Sequence, residues 1–170
     1  GYALNTAFTT AVFFAFLAGA PYIMIELLKR PASEYGALFI LVSAGYAMGI
    51  QRDGTDQAAV AYFGDGATSQ GDVNEAMVFA SSFQAPVVFV CSNNQWAISE
   101  PNYKQFRIPP YQRARGFGFP GVRVDGNDVL ASTAAMRWAL DHARRGEGPV
   151  FLEMVTYRMG PHTTSDDPTR

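Results

Sequence analysis

The chain has 170 residues, of which 48% are hydrophobic, and a formal net charge of -2. That length is enough to bury a core, and the near-neutral balance supplies no basic field to attract a nucleic-acid backbone. With a single cysteine, Cys91, an internal disulfide is excluded, and its place in an apolar run marks a buried core residue rather than a nucleophile.

Between residues 7 and 25 there is no charged side chain, and Phe13, Phe14, Phe16 and Leu17 cluster there. The run is long enough to weigh as a membrane span or signal sequence. No basic stretch precedes it, and Gly19 and Pro21 interrupt it, which favours a pair of buried helices stopped by Pro31. A membrane association is therefore not expected.

Residues 38–51 place Ile40, Leu41, Ala44, Ala47 and Met48 on one face, as in an amphipathic helix. A polar loop leads to an apolar run at residues 58–63, a strand that Gly64-Asp65-Gly66 breaks. Asp72 with Glu75 three residues on is a capping-box pattern, predicting a helix whose apolar stripe is Val73, Ala76, Met77 and Ala80. Residues 86–91 are valine-rich and too short for a helix, so they predict a buried parallel strand with Asn93-Asn94 just past its end. Both polar turns then fall at the carboxyl ends of strands joined by one right-handed crossover, where open α/β sheets place their ligands.

Residues 101–111 read as irregular, and Arg113 and Arg115 as a solvated basic face. A short strand at 121–124 precedes an amphipathic helix at 129–145, with Ala134, Trp138, Leu140 and Ala143 as its apolar surface and His142 at its boundary. The last strand is at 149–157. Four strands alternating with helices predict an α/β, doubly wound parallel sheet in a single domain over 1–170, with 1–42 an atypical apolar segment.

The two turns carry specific chemistry. Asp65 lies between glycines that let backbone approach an anion, and carboxylate and amide oxygens are hard ligands suited to magnesium or calcium. A magnesium ion held by one carboxylate, one side-chain amide and a backbone carbonyl keeps positions for phosphate oxygens, and so can carry a diphosphate. Past the last strand, His162 stands in a loop, GPHTTSDDP, rich in hydroxyls and carboxylates. Anions would order such a loop.

GDG at residues 64–66 followed by NN at 93–94 resembles the thiamine diphosphate motif. The longer text GDGATSQGDVNEAMVFA...PVVFVCSNNQWAIS is similar to the α subunit of the 2-oxo acid dehydrogenase E1 component. Within that family RVDGND (123–128) and TYRMGPHTTSDDPTR (156–170) resemble the branched-chain form. The resemblance spans residues 44–170 and implies a thiamine diphosphate-binding fold, with pyruvate and acetoin dehydrogenases as alternative members and a non-catalytic fragment as the rival reading.

Carried over residue by residue, the resemblance implies Asp65 and Asn94 as magnesium ligands through their side chains, and Trp96 through its backbone oxygen where the family usually has tyrosine. It implies Gly64, Gly66 and Ala67 along the diphosphate, His162 as a catalytic and cofactor-binding residue, and Arg158 as a cofactor-side residue that orders the loop. It further implies a β subunit in an α2β2 heterotetramer, a lipoyl domain on the E2 partner, and a cytoplasmic or mitochondrial-matrix location. Residues 1–42 match neither the family's diphosphate-contacting arginine nor its segment under the aminopyrimidine.

Overall fold

The computed structural model describes residues 32–164 and residue 166, with side chains described from residue 39. The apolar run at residues 7–25 lies outside the described residues. No described helix is long and apolar enough to cross a membrane.

In chain order the elements are α1 (Ala32–Arg52), β1 (Ala59–Gly64), a 3-10 turn (Asp65–Ser69), α2 (Gly71–Ser82), β2 (Val87–Asn93), β3 (Trp96–Ala97), β4 (Glu100–Pro101), α3 (Asn102–Gln105), α4 (Tyr111–Gly116), β5 (Gly121–Asp125), α5 (Val129–Arg144) and β6 (Val150–Val155). The central sheet runs β1-β2-β6-β5 and every pairing in it is parallel. β3 and β4 make a separate antiparallel pair.

Helices cover both faces of the sheet. One core cluster joins Ile40, Ala44 and Ala47 of α1, Val73, Ala76, Met77 and Ala80 of α2, Ala114 of α4, and Phe63, Phe89, Cys91 and Phe151 of the sheet. The other joins Val88, Val90, Val150 and Leu152 to Ala139 and Ala143 of α5. Residues 87–91 of β2 are consecutively buried, as a strand covered on both faces requires. Phe63 and Phe151 meet edge to face at 5.8 Å across the first cluster, a geometry that adds to the burial itself.

The crossover β1–α2–β2 lies on one face and β5–α5–β6 on the other, and the two units advance toward each other until β2 and β6 are neighbours. β2 and β6 are thus central neighbours, and the polar turns at the carboxyl ends of such parallel strands are where open α/β sheets bind ligands.

Several local expectations change. α2 starts at Gly71 with Gln70 as its N-cap and no side-chain cap bond, so Asp72 and Glu75 form no capping box; Asp72 sits inside the first turn. Asn93 is not past the strand but its last residue, because β2 continues beside β6 to the Asn93–Val155 pair. Residues 101–111 contain strand and helix. Arg113 is not solvated: it donates to the carbonyl of Thr68 and lies over the Phe106 ring. On α5 the buried stripe is Ala139 and Ala143, with Leu140 partly buried, whereas Ala134 and Trp138 are exposed.

Candidate functional site

The glycine turn after β1 delivers Asp65 to the carboxyl edge of the sheet. There the Thr68 hydroxyl donates to the Asp65 carbonyl at 2.7 Å and closes the 3-10 turn, and Arg113 ties that turn to α4. The Asp65 side chain is only 1% exposed. Burial pushes its carboxyl above its ordinary value; the Gln105 amide and backbone N–H groups, that of Asn94 among them, pull it back in part, and the negative charge of Glu153 adds to the push.

The walls around this carboxylate are amides. Gln105 Nε2 donates to Asp65 Oδ2 at 3.3 Å, while Gln105 Oε1 is buried without a hydrogen-bond partner. The Asn102 amide lies between Asp65 and Asn93. With its nitrogen toward Asn93 it donates to Asn93 Oδ1 at 2.8 Å. Turned over, it donates to Asp65 Oδ2 at 2.7 Å and to the Gln95 carbonyl at 3.2 Å. Each orientation sets one pair of acceptor oxygens against each other, Asn102 with Asp65 in the first and Asn102 with Asn93 Oδ1 at 2.8 Å in the second, and an ionised Asp65 makes the first clash the costlier.

Asn94 follows β2 and is half-buried; its Oδ1 accepts from the Trp96 N–H at 3.0 Å. Between them Gln95 adopts φ +72, and Ile98 beyond adopts φ +55. Trp96 is half-buried in β3, opposite Pro101. Gly66 touches the same strand, since a Cβ there would meet Ala97 Cβ at 2.7 Å. Gly64 closes β1 beside Ser92. Ala67 is partly buried and packs against the core cluster.

Beyond β6, Arg158 crosses back to this region. It lies over the Trp96 ring at 5.8 Å, donates to the Ile98 carbonyl, and pairs with the buried Asp166. Asp166 also accepts the His162 N–H at 3.0 Å. The His162 residue itself is exposed. The structure thus brings the Asn94 N–H to Asp65 and Gly66 against β3, links Asn94 to Trp96, docks Arg158 against Trp96, and leaves His162 at the surface.

Among the described residues no group of three or more His, Cys, Asp and Glu side chains is placed to hold a metal. The donors at Asp65 are instead one carboxylate and several amide oxygens, one of them unpartnered. That set fits a hard cation which keeps positions for other oxygens, and fits a thiolate- or imidazole-seeking metal poorly. Sequence reasoning named Asn93 as part of the motif without giving it a role, and missed Asn102, Gln105 and Glu153. For Glu153 a signal existed, a lone carboxylate in the apolar strand VFLEMV; Asn102 and Gln105 are placed only by the folding-back of residues 96–105.

The family model "Dehydrogenase E1 component" matches residues 31–170. The 3-methyl-2-oxobutanoate dehydrogenase subunit alpha of Mycobacterium tuberculosis is 56% identical over 131 residues, 76% of this chain and 36% of that protein. The pyruvate dehydrogenase E1 component subunit alpha of Acholeplasma laidlawii is 48% identical over 75% of this chain and 37% of its own length. The mitochondrial 2-oxoisovalerate dehydrogenase subunit alpha 2 of Arabidopsis thaliana is 46% identical over 75% and 27%. The chain spans about a third of the length of these relatives. The fold, the motif text and these matches agree: the chain belongs to the dehydrogenase E1 component family.

Proposed function

We propose that the chain forms the cofactor-binding part of an E1 α subunit that, with a β subunit, carries out thiamine diphosphate-dependent oxidative decarboxylation of a branched-chain 2-oxo acid. The observation that carries this reading is the buried Asp65 carboxylate, ringed by amides at the end of β1. When bound, the cofactor supplies the electron sink that lets carbon dioxide leave. The residues here bind and orient it. Asp65, Asn94 and the Trp96 carbonyl would hold magnesium, with Gln105 Oε1 close by; Gly64, Gly66 and Ala67 would line the diphosphate. The uncapped start of α2 leaves N–H groups that favour an anion.

Arg158 would hold the loop of His162 against Trp96, so that His162 enters the site only when the loop closes. The branched-chain assignment rests on the 56% identity to a 3-methyl-2-oxobutanoate dehydrogenase; the 48% identity to a pyruvate dehydrogenase supports the second reading. The acyl group would pass to a lipoyl domain of E2. A β subunit has an apolar surface to cover on α2, where Val78, Phe79 and Phe83 are each about half exposed and the two phenylalanine rings stack at 6.4 Å. Cytoplasm or mitochondrial matrix is the compartment this function requires.

Thermal denaturation tests the reading. Thiamine diphosphate with magnesium at about a hundred times its Kd stabilises a folded binder by about 2.7 kcal/mol, a rise of several degrees in Tm. No shift with cofactor and magnesium together would leave a chain that keeps the fold but not the site.

A further inference from the structure

Glu153 has no part in the site as assigned so far, yet it is fully buried in β6 between Leu152 and Met154. A carboxylate in such a strand is tolerated only when its oxygens are satisfied. Here they are divided. Oε1 accepts from Asn93 Nδ2 at 2.7 Å, with Arg123 Nε 3.6 Å away, and Oε2 accepts the Tyr111 N–H at 3.1 Å. Asn93, itself 1% exposed, turns its other end outward, where Oδ1 accepts the Gln95 N–H at 2.9 Å. Gln95 is the residue at φ +72, a conformation a non-glycine residue keeps only when its surroundings hold it. Its carbonyl in turn accepts the Asn102 N–H at 3.1 Å.

The carboxylate therefore dictates which way the Asn93 amide faces. Nitrogen toward Glu153 leaves oxygen toward Gln95, and the turn carrying Asn94 and Trp96 starts from that bond. β2 and β6 are neighbours in the sheet, and the Asn93–Glu153 pair borders the site: the Asn102 amide lies between Asn93 and Asp65, and the negative charge of Glu153 acts on Asp65.

We propose that Glu153 is a positioning residue: through Asn93 it holds the turn of residues 94–96 in the shape that presents Asn94 and Trp96 to the cation beside Asp65. This rests on the cofactor reading given above. Glu153 touches neither cation nor diphosphate in this role. It acts by polarity, since two acceptor oxygens face two donors that no neutral side chain of the same shape satisfies together.

That polarity supplies the test. Glu153→Gln replaces one acceptor with an NH2 group, so either Asn93 Nδ2 or the Tyr111 N–H is left facing a donor. Asn93→Asp alone sets two carboxylates against each other. The exchange Asn93→Asp/Glu153→Gln restores the three hydrogen bonds of the pair and gives up only the 3.6 Å approach of Arg123: the amide at 153 accepts from Tyr111 and donates to the carboxylate at 93, whose other oxygen still accepts from Gln95. In the full chain with thiamine diphosphate, Mn2+ in place of Mg2+ reports affinity by electron paramagnetic resonance. Each single variant is expected to weaken Mn2+ binding by roughly 10- to 100-fold, and the exchange to recover most of it.

A second readout needs no metal. Hydrogen–deuterium exchange should accelerate at residues 94–102 in the single variants while β2 and β6 stay as in the parent, and the double exchange should slow it again. Parent-like affinity and parent-like exchange in the single variants would overturn the proposal. So would faster exchange throughout the sheet, which marks a merely structural role, or a double variant no better than the singles. Asp65→Ala separates the two readings: if it keeps Mn2+ affinity the cation site is elsewhere, and the exchange pattern still decides whether Glu153 holds the turn.

Discussion

Asp65 and Asp128 occupy matching stations, each between a parallel strand and the helix that crosses back, β1 to α2 and β5 to α5. Asp128 is exposed, and its Oδ1 accepts the Leu130 and Ala131 N–H groups at 2.8 and 3.1 Å. Its acceptor capacity is spent on starting its own helix. Asp65 is buried, a 3-10 turn separates it from α2, and what reaches its carboxylate are side-chain amides and the Asn94 N–H. A carboxylate satisfied by its own helix is structural, whereas one walled off from water and kept apart from its helix holds its charge for something else.

A glycine in each of the two turns, one residue after Asp65 and two before Asp128, sharpens this. At Gly66 an added Cβ would meet Ala97 Cβ at 2.7 Å, so Gly66→Ala must push β3 away from the turn. Overpacking of this kind costs about 1–3 kcal/mol, and since about 1.4 kcal/mol is tenfold in affinity, cofactor binding should fall by an order of magnitude with little loss of Tm. At Gly126 the added Cβ would meet Thr156 Cγ2 at 2.7 Å and the Val155 carbonyl at 3.0 Å, in the sheet itself. Gly126→Ala should lower stability by about 1–3 kcal/mol in chemical denaturation while the folded fraction binds cofactor as before. If both variants lose affinity alike, the two turns are not functionally distinct.

A smaller effect separates the aspartates. Asp128→Ala removes a helix cap and should cost about 1 kcal/mol of stability without touching affinity. Smallest is the pH effect at Asp65. Burial raises its folded-state pKa above the ordinary 3.8, so the metal-free fold binds this proton more tightly than the unfolded chain does. That contribution is full below the ordinary value and is lost as pH rises through the raised one. The Tm of Asp65→Asn relative to the parent should therefore climb as pH rises from the ordinary carboxylate value through the raised one. A flat difference would mean that Asp65 is not desolvated.

The sheet was legible in the sequence because its strands are continuous apolar runs and its helices carry clean stripes, as at Val73, Ala76, Met77 and Ala80. Asp65 and Asn94 were legible because glycines and paired asparagines mark polar turns. The capping box failed because α2 begins two residues earlier than an Asp72 cap requires, with Gln70 as its N-cap directly after the 3-10 turn. Arg113 was read as solvated because nothing local reveals that Thr68, 45 residues away, offers it a carbonyl. The Asn93–Glu153 pair spans 60 residues and depends on β2 and β6 becoming neighbours, which no local pattern announces.

Isothermal titration of thiamine diphosphate into the parent and into Asp65→Ala, each with and without magnesium, tests most directly whether the GDG turn is the cation end of a diphosphate site. The parent should show saturable binding that requires magnesium, and Asp65→Ala should lose it while its thermal unfolding stays cooperative. Binding by the parent without magnesium, or by Asp65→Ala with parental affinity, would place the metal elsewhere and contradict the account.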